Sequence, residues 1–302
     1  MGTDCVQAGV NDLISAIRPR TLDSDKYANG RVLVIGGSAD FHGAPALSYS
    51  AAYAMLAAMR SGAGYVSAFV PRSALAANRA VSPCVIVRPF KLKNLSKSDT
   101  GPIIKHADRS DSIIIGPGLG RSANSAAAAK LIVMHCIKRL KVVVVDADAI
   151  RAASKLKGNG HIIFTPNRSE FEREWGPVPN RKADICKKVE ETARKTGACI
   201  LLKGHETVVS NGYSTKIIRS KSAALATMGT GDVLSGIIGG LAAINNDAFV
   251  SAVAGAYVHA KIGDMLHAKI GDCLTPMDLV KNVHVALNMY NYSMHKFKKK
   301  GV

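Results

Sequence analysis

The feature that most constrains this fold is a repeated unit: a short run of Val, Ile and Leu, a turn carrying glycine or aspartate, then an Ala-rich amphipathic stretch. Arg31-Val32-Leu33-Val34-Ile35 leads into Gly36-Gly37 and a helical pattern over 44–60. Residues 65–70 precede a short helical stretch at 73–78. Ser112-Ile113-Ile114-Ile115 runs into Gly116-Pro117-Gly118-Leu119-Gly120 and a helix over 122–139. The runs at 141–145, 161–164 and 199–202 end in Asp146-Ala147-Asp148, Thr165-Pro166-Asn167 and Lys203-Gly204.

Apolar runs that do not alternate with polar residues belong to strands buried on both faces. Separated by helices, they predict an α/β fold with a central, mostly parallel sheet wrapped on both sides. After Lys203 the pattern changes. Residues 207–210, Asn211-Gly212 and 214–218 read as a small antiparallel hairpin with an Asn-Gly turn. Helical patterns at 232–244, 249–267 and 277–295 close the chain. The segment 88–111 is polar and basic but too short to divide two domains, and there is no Pro/Gly/Ser-rich linker. The expected organisation is an N-terminal extension, 1–30, followed by one catalytic domain, 31–302.

Composition narrows the function classes. Aromatics are only 5% of 302 residues, so alanine and glycine do much of the packing. The formal charge of +18 favours phosphorylated or polyanionic ligands. The basic residues are spread out, the one dense run being Lys296-Phe297-Lys298-Lys299-Lys300, which reads as a solvated tail. With neither an RNA-binding aromatic signature nor finger-like Cys/His spacing, nucleic acid is not an expected partner. The six cysteines form no CxxC pair, so neither a zinc site nor a disulfide framework is suggested. No signal peptide and no apolar run of membrane-spanning length are present, and a soluble cytoplasmic protein is expected.

Ligands of open α/β sheets bind at the carboxyl ends of the strands, which is where this chain concentrates its chemistry-bearing residues. Gly229-Thr230-Gly231-Asp232 directly precedes a helical pattern. Its backbone N–H groups and the helix dipole suit a phosphate, and the dipole is expected to hold Asp232 ionised, ready to accept a hydroxyl proton. The same four residues also fit a tight turn with a capping aspartate. Lys203-Gly204-His205-Glu206-Thr207 can line phosphates or ribose, or form a charged surface turn. Gly116–Gly120 lacks the GxGxxG spacing of a dinucleotide fingerprint; it offers close backbone approach or a simple turn. Asp146 and Asp148 can position a metal or substrate, and Asp148 can equally cap a helix. Asn167 and Glu170, three apart, either face one pocket, with Glu170 reaching magnesium through water, or form a capping pair. His42, after Gly36-Gly37-Ser38, is a possible substrate contact or a structural histidine.

Taken in order, Gly36-Gly-Ser, Gly43-Ala44, Gly116-Pro-Gly-Leu-Gly120, Val145-Asp-Ala-Asp148, Thr165-Pro166, Lys203-Gly204-x-x-Thr207 and Gly229-Thr-Gly-Asp232 resemble the NAD(P)H-hydrate dehydratase family of the ribokinase-like superfamily. The similarity runs from about Gly30 to Gly271. The resemblance implies repair of hydrated NADH and NADPH, with ADP (ATP in some lineages) and magnesium used to dehydrate the S epimer. It implies that Ala44, Gly118, Gly120, Asn167 and Asp232 contact the hydrated cofactor. Lys203, Gly204, His205, Glu206, Thr207, Gly229, Thr230 and Gly231 would contact the adenine nucleotide, with Asp232 catalytic and Glu170 near the metal. The implied chemistry is phosphoryl transfer to the substrate hydroxyl, followed by elimination driven by the ring nitrogen. Family assemblies imply a homo-oligomer.

Two departures stand out. Thr-Pro is usually followed by histidine in the family, whereas Asn167 stands here. Thr-Pro-Asn-x-x-Glu is similar to hydroxymethylpyrimidine and pyridoxal kinases, which supplies the alternative reading of a small-molecule kinase. Those kinases often carry Gly-Thr-Gly-Cys where this chain has Asp232. The epimerase domain of many relatives is also missing ahead of the first strand, so the R epimer would have to be handled by another protein or epimerise spontaneously.

Overall fold

The computed structural model describes residues 5–39 and 45–298, apart from the side chains of 45–49 and 289–298. Its strands are β1 (Val6–Gln7), β2 (Arg31–Ile35), β3 (Tyr65–Val70), β4 (Ile86–Pro89), β5 (Ser112–Ile115), β6 (Val142–Val145), β7 (Ile162–Phe164), β8 (Cys199–Leu202), β9 (Glu206–Ser210) and β10 (Thr215–Arg219). They form one sheet in the order β1-β10-β9-β8-β7-β6-β5-β2-β3-β4. Only β9 runs against its neighbours. Ile35 pairs with Ile115, Ile115 with Val145, Val145 with Phe164 and Phe164 with Ile200. The strands therefore stop nearly level, and the turns that follow them share one edge.

The helices are α1 (Val10–Ala16), α2 (Pro45–Arg60), α3 (Leu75–Val81), α4 (Lys97–Ala107), α5 (Ala123–Lys138), α6 (Asp148–Ala153), α7 (Arg168–Trp175), α8 (Lys182–Thr196), α9 (Thr230–Asn245), α10 (Ala248–Ile270) and α11 (Pro276–Lys298). Because the central strands are almost wholly apolar, successive side chains feed opposite cores. Leu33, Ile35, Ile113 and Val143 pack with residues of α4, α5, α6, α7 and α8. Val32, Val34, Ile114 and Val144 pack with α2, α9 and α10. A further apolar layer joins α1 and α11 to the outer surfaces of α2, α9 and α10.

Helix α9, buried over almost its whole length, sets the position of the Asp232 turn. A Cβ on Gly236 would lie 2.4 Å from the Ala54 carbonyl oxygen of α2. Gly236→Ala therefore forces two backbones apart, and we expect a loss of about 1–3 kcal/mol in urea denaturation. Unchanged stability would show that the two helices slide freely.

Three features differ from the sequence reading. The polar stretch 88–111 folds into the end of β4 and into α4, where Ile103 and Ala107 are buried. The hairpin closes with four residues, because the Asn211 Oδ1 accepts the N–H groups of Tyr213 at 3.0 Å and Ser214 at 2.8 Å. That side chain supplies the turn in place of a two-residue backbone reversal. Cys5 and Cys186 are bonded, with Cα atoms 6.7 Å apart, so the expectation of no disulfide is corrected. Their 181-residue separation hid the pairing; β1 brings Cys5 to the sheet edge beside α8. Among the described residues no helix is long and apolar enough to cross a membrane.

Candidate active site

Asp146, at the end of β6, organises the level edge of the sheet. Its carboxylate is 2% exposed and accepts three side-chain hydrogen bonds. The Thr165 hydroxyl lies at 2.8 Å, the Lys203 ammonium at 3.0 Å and the Ser235 hydroxyl at 2.7 Å. These donors come from the residues directly after β7 and β8 and from α9, so one buried carboxylate ties three elements together. A buried charge is tolerated only when it is paired and hydrogen-bonded in this way.

The first turn of α9 stands beside this group. Gly229, its N-cap, has φ +90°, and a Cβ there would also meet the Pro276 ring at 2.8 Å. Thr230 anchors the loop by donating its hydroxyl to the Leu225 and Thr227 carbonyls. The buried His259 imidazole donates Nε2–H to the Thr230 carbonyl at 2.9 Å. Burial, only partly offset by that bond, lowers His259 to about 4, so it acts as a neutral strut. A Cβ on Gly231 would lie 3.4 Å from the Lys203 Nζ, which places the ammonium directly against the turn. The N–H groups of a helix's first turn have no intrahelical partners and point outward, toward any anion bound there.

Asp232 departs from its expectation. Burial, with the negative Asp146 nearby, raises it to about 7, against a Ser50 hydrogen bond and the Lys203 charge, which lower it. The helix start does not hold it fully ionised; desolvation and a like charge outweigh the dipole. Lys203 is raised as well, which for an amine favours the charged form. Burial would lower it, but Asp146, Glu170 and Asp232 outweigh that and keep it a cation.

The remaining motifs fall around this centre. Gly36–Gly37 and the 116–120 turn pack together, Gly37 N–H donating to the Pro117 carbonyl at 2.8 Å. Asp148 steadies that turn by accepting the Gly120 N–H at 3.0 Å and pairing with Arg121. Asn167 caps α7: its Oδ1 accepts the Glu170 N–H at 2.9 Å, and the Glu170 carboxylate accepts the Asn167 N–H at 2.8 Å. Asn167→Ala should cost about 1 kcal/mol in thermal unfolding, and no change would mean that the cap is idle. Glu206, at the start of β9, is pushed up by burial but held low overall by Lys182 and Arg219. His42 and Ala44 lie outside the described residues. Among the described residues no three His, Cys, Asp or Glu side chains converge as metal ligands. Sequence reasoning missed Ser50, Ser235 and His259, and it left Asp146 as one of two equivalent aspartates.

The model of the NAD(P)H-hydrate dehydratase family matches residues 32–284. The chain belongs to this family. Among similar relatives in the NAD(P)H-hydrate dehydratase family is the ADP-dependent (S)-NAD(P)H-hydrate dehydratase of Nitrosopumilus maritimus, 36% identical over 92% of this chain and 95% of that one. The protein of the same description from Cenarchaeum symbiosum is 35% identical over 90% and 93%. A bifunctional NAD(P)H-hydrate repair enzyme of Pyrobaculum aerophilum is 31% identical, and the chain spans 53% of its length. A ribokinase-like protein of Enterococcus faecalis superposes with a TM-score of 0.80 at 26% identity, covering 95% of this chain and 96% of that one. A Bacillus subtilis ADP/ATP-dependent NAD(P)H-hydrate dehydratase, co-crystallized with ATP/Mg2+, superposes with a TM-score of 0.79 over 95% and 99%. At 23% identity it shows the shared fold alone. The ribokinase-like architecture and the family read from the strand-end motifs are both met.

Proposed function

We propose that the protein is an ADP-dependent (S)-NAD(P)H-hydrate dehydratase, returning hydrated NADH and NADPH to the reduced cofactors. The observation that carries the reading is Asp232 in the first turn of α9, beside Lys203 and the Gly229–Gly231 backbone. The full-length relatives of that description support it.

The turn fits a nucleotide's phosphates, because the Gly231 and Asp232 N–H groups and the Lys203 ammonium all converge on it. Lys203 to Thr207 and Gly229 to Gly231 hold the adenine nucleotide; Gly118, Gly120 and Asn167 line the substrate side. The nucleotide supplies a phosphoryl group that turns the substrate hydroxyl into a leaving group. Asp232 accepts the hydroxyl proton at its carboxylate, and Lys203 balances charge gathering on the transferred group. Magnesium would be held mainly by the nucleotide's phosphates and water, and Glu170, whose carboxylate already binds the Asn167 N–H, would reach it through water and help neutralise the phosphate charge.

A base at about 7 sets the pH dependence. Asp232 must be deprotonated to accept the proton, so kcat/KM should fall about tenfold per pH unit below that value and level off above it. A profile flat from pH 5 to 8 would remove Asp232 as the base. The function is tested by incubating the protein with hydrated NADH, magnesium and either ADP or ATP. We expect the absorbance of reduced nicotinamide to return, faster with ADP. Phosphorylation of a pyrimidine or pyridoxal alcohol, with no returned nicotinamide, would place the chain with the small-molecule kinases instead.

A further inference from the structure

We propose a second nucleotide site at the opposite end of the sheet, in a cavity that takes a nucleoside polyphosphate. The cavity has a volume of about 640 Å³ and lies between the segment 17–29, the ends of α2 and α9, and the exposed face of α11. That volume is within the range of small-molecule sites, roughly 300–1,000 Å³. It lies at the amino ends of β2 and β3, whereas Asp232 lies at the carboxyl ends. From Asp232 to Leu241 and Ile244, α9 spans roughly 14–18 Å at its normal rise.

Its charge is one-sided. Arg18, Arg20 and Arg60 line it together with His284. Among the described residues none of the three arginines forms an ion pair. The Arg20 guanidinium is fixed over the cavity by donating to the Gly62 carbonyl at 2.7 Å, and that of Arg18 donates to the Asn245 carbonyl at 3.3 Å. Each spends one N–H there and keeps the rest of its fork. The neighbouring Asp25 carboxylate accepts the N–H groups of Tyr27 and Ala28, which engage it within its own turn. Three guanidinium groups without carboxylate partners among the described residues make a receptor for several phosphates, which they bind in bidentate fashion.

The other wall is apolar: Ile17, Leu241, Ile244 and Leu287 line it. Such a wall suits a flat ring held against aliphatic side chains and is wasted on inorganic phosphate. Arginine forks beside an apolar wall, in a volume of this size, match a nucleotide, with its phosphates on Arg18, Arg20 and Arg60 and its base on the leucines and isoleucines. None of these residues belongs to the Asp232 site, and the inference does not depend on which reaction that site performs.

Calorimetric titration of the whole protein with ATP and magnesium, at about 0.15 M salt, tests the proposal. The expected result is two molecules bound per chain. Arg60→Glu should weaken the second event about ten- to a hundredfold, leaving the first event and turnover unchanged. Asn288→Trp fills the cavity from an exposed helix position without touching an arginine, and it should abolish the same event; it carries the test if Arg60→Glu does not fold. A single bound ATP in the wild-type protein, or two events retained in the folded variants, would overturn the proposal.

Discussion

Asp232→Asn is expected to reduce turnover by about two to four decades while nucleotide binding survives. The amide keeps the shape of the carboxylate and its place in the first turn of α9, but it cannot take a proton. Lys203 and the Gly231 N–H stay in place, because Asp146 and the packing of α9 hold them, not Asp232. The variant also has a thermodynamic signature. Asp232 ionises at about 7 in the folded protein, against about 4 in an unfolded chain. The folded state therefore holds an extra proton between those values, and stability falls as pH rises through that window and stays lowered above it. Asparagine removes this slope, so the variant should be more stable than the parent at pH 8. Lost turnover with that gain separates a missing base from a damaged fold; retained turnover would refute the catalytic role.

Asp146→Ala should cause the largest loss of stability of any single change at the site, about 3–5 kcal/mol. It leaves the Lys203 ammonium beside a hole and strips the Thr165 and Ser235 hydroxyls of their acceptor. Lys203 is 24% exposed and can swing partly to water, which favours the lower end of that range. Chemical denaturation measures the loss, and the freed lysine should also weaken nucleotide affinity. A loss below about 1 kcal/mol would show that the carboxylate does not anchor these three elements.

The sheet was legible because every long strand advertises itself as an apolar run, and the site's outline was legible because each run ends in an unusual turn. The segment 88–111 was not, since α4 buries only a few residues, one of them Asp99, under a surface of Lys97, Ser98, Gly101, Pro102 and Lys105. Within the site, sequence could not rank Asp146 above Asp148. The difference lies in partners brought together across the fold, such as Ser235, 89 residues from Asp146. The same limit explains the Asp232 pKa. A helix start can be read from a tetrapeptide, but desolvation and a like charge from another strand end cannot. Asn167 read equally well as a pocket residue and as a cap, and the capping pair is what the backbone requires of it.

In the proposed reaction the hydroxyl of the hydrated nicotinamide is phosphorylated at the Asp232 turn and leaves with its oxygen attached to phosphorus. Hydrated NADH labelled with heavy oxygen at that hydroxyl, converted with ADP and magnesium, tests this directly. The label is expected in inorganic phosphate, with one AMP and one phosphate formed for each NADH returned. Label released into water, with the nucleotide unconsumed, would contradict it.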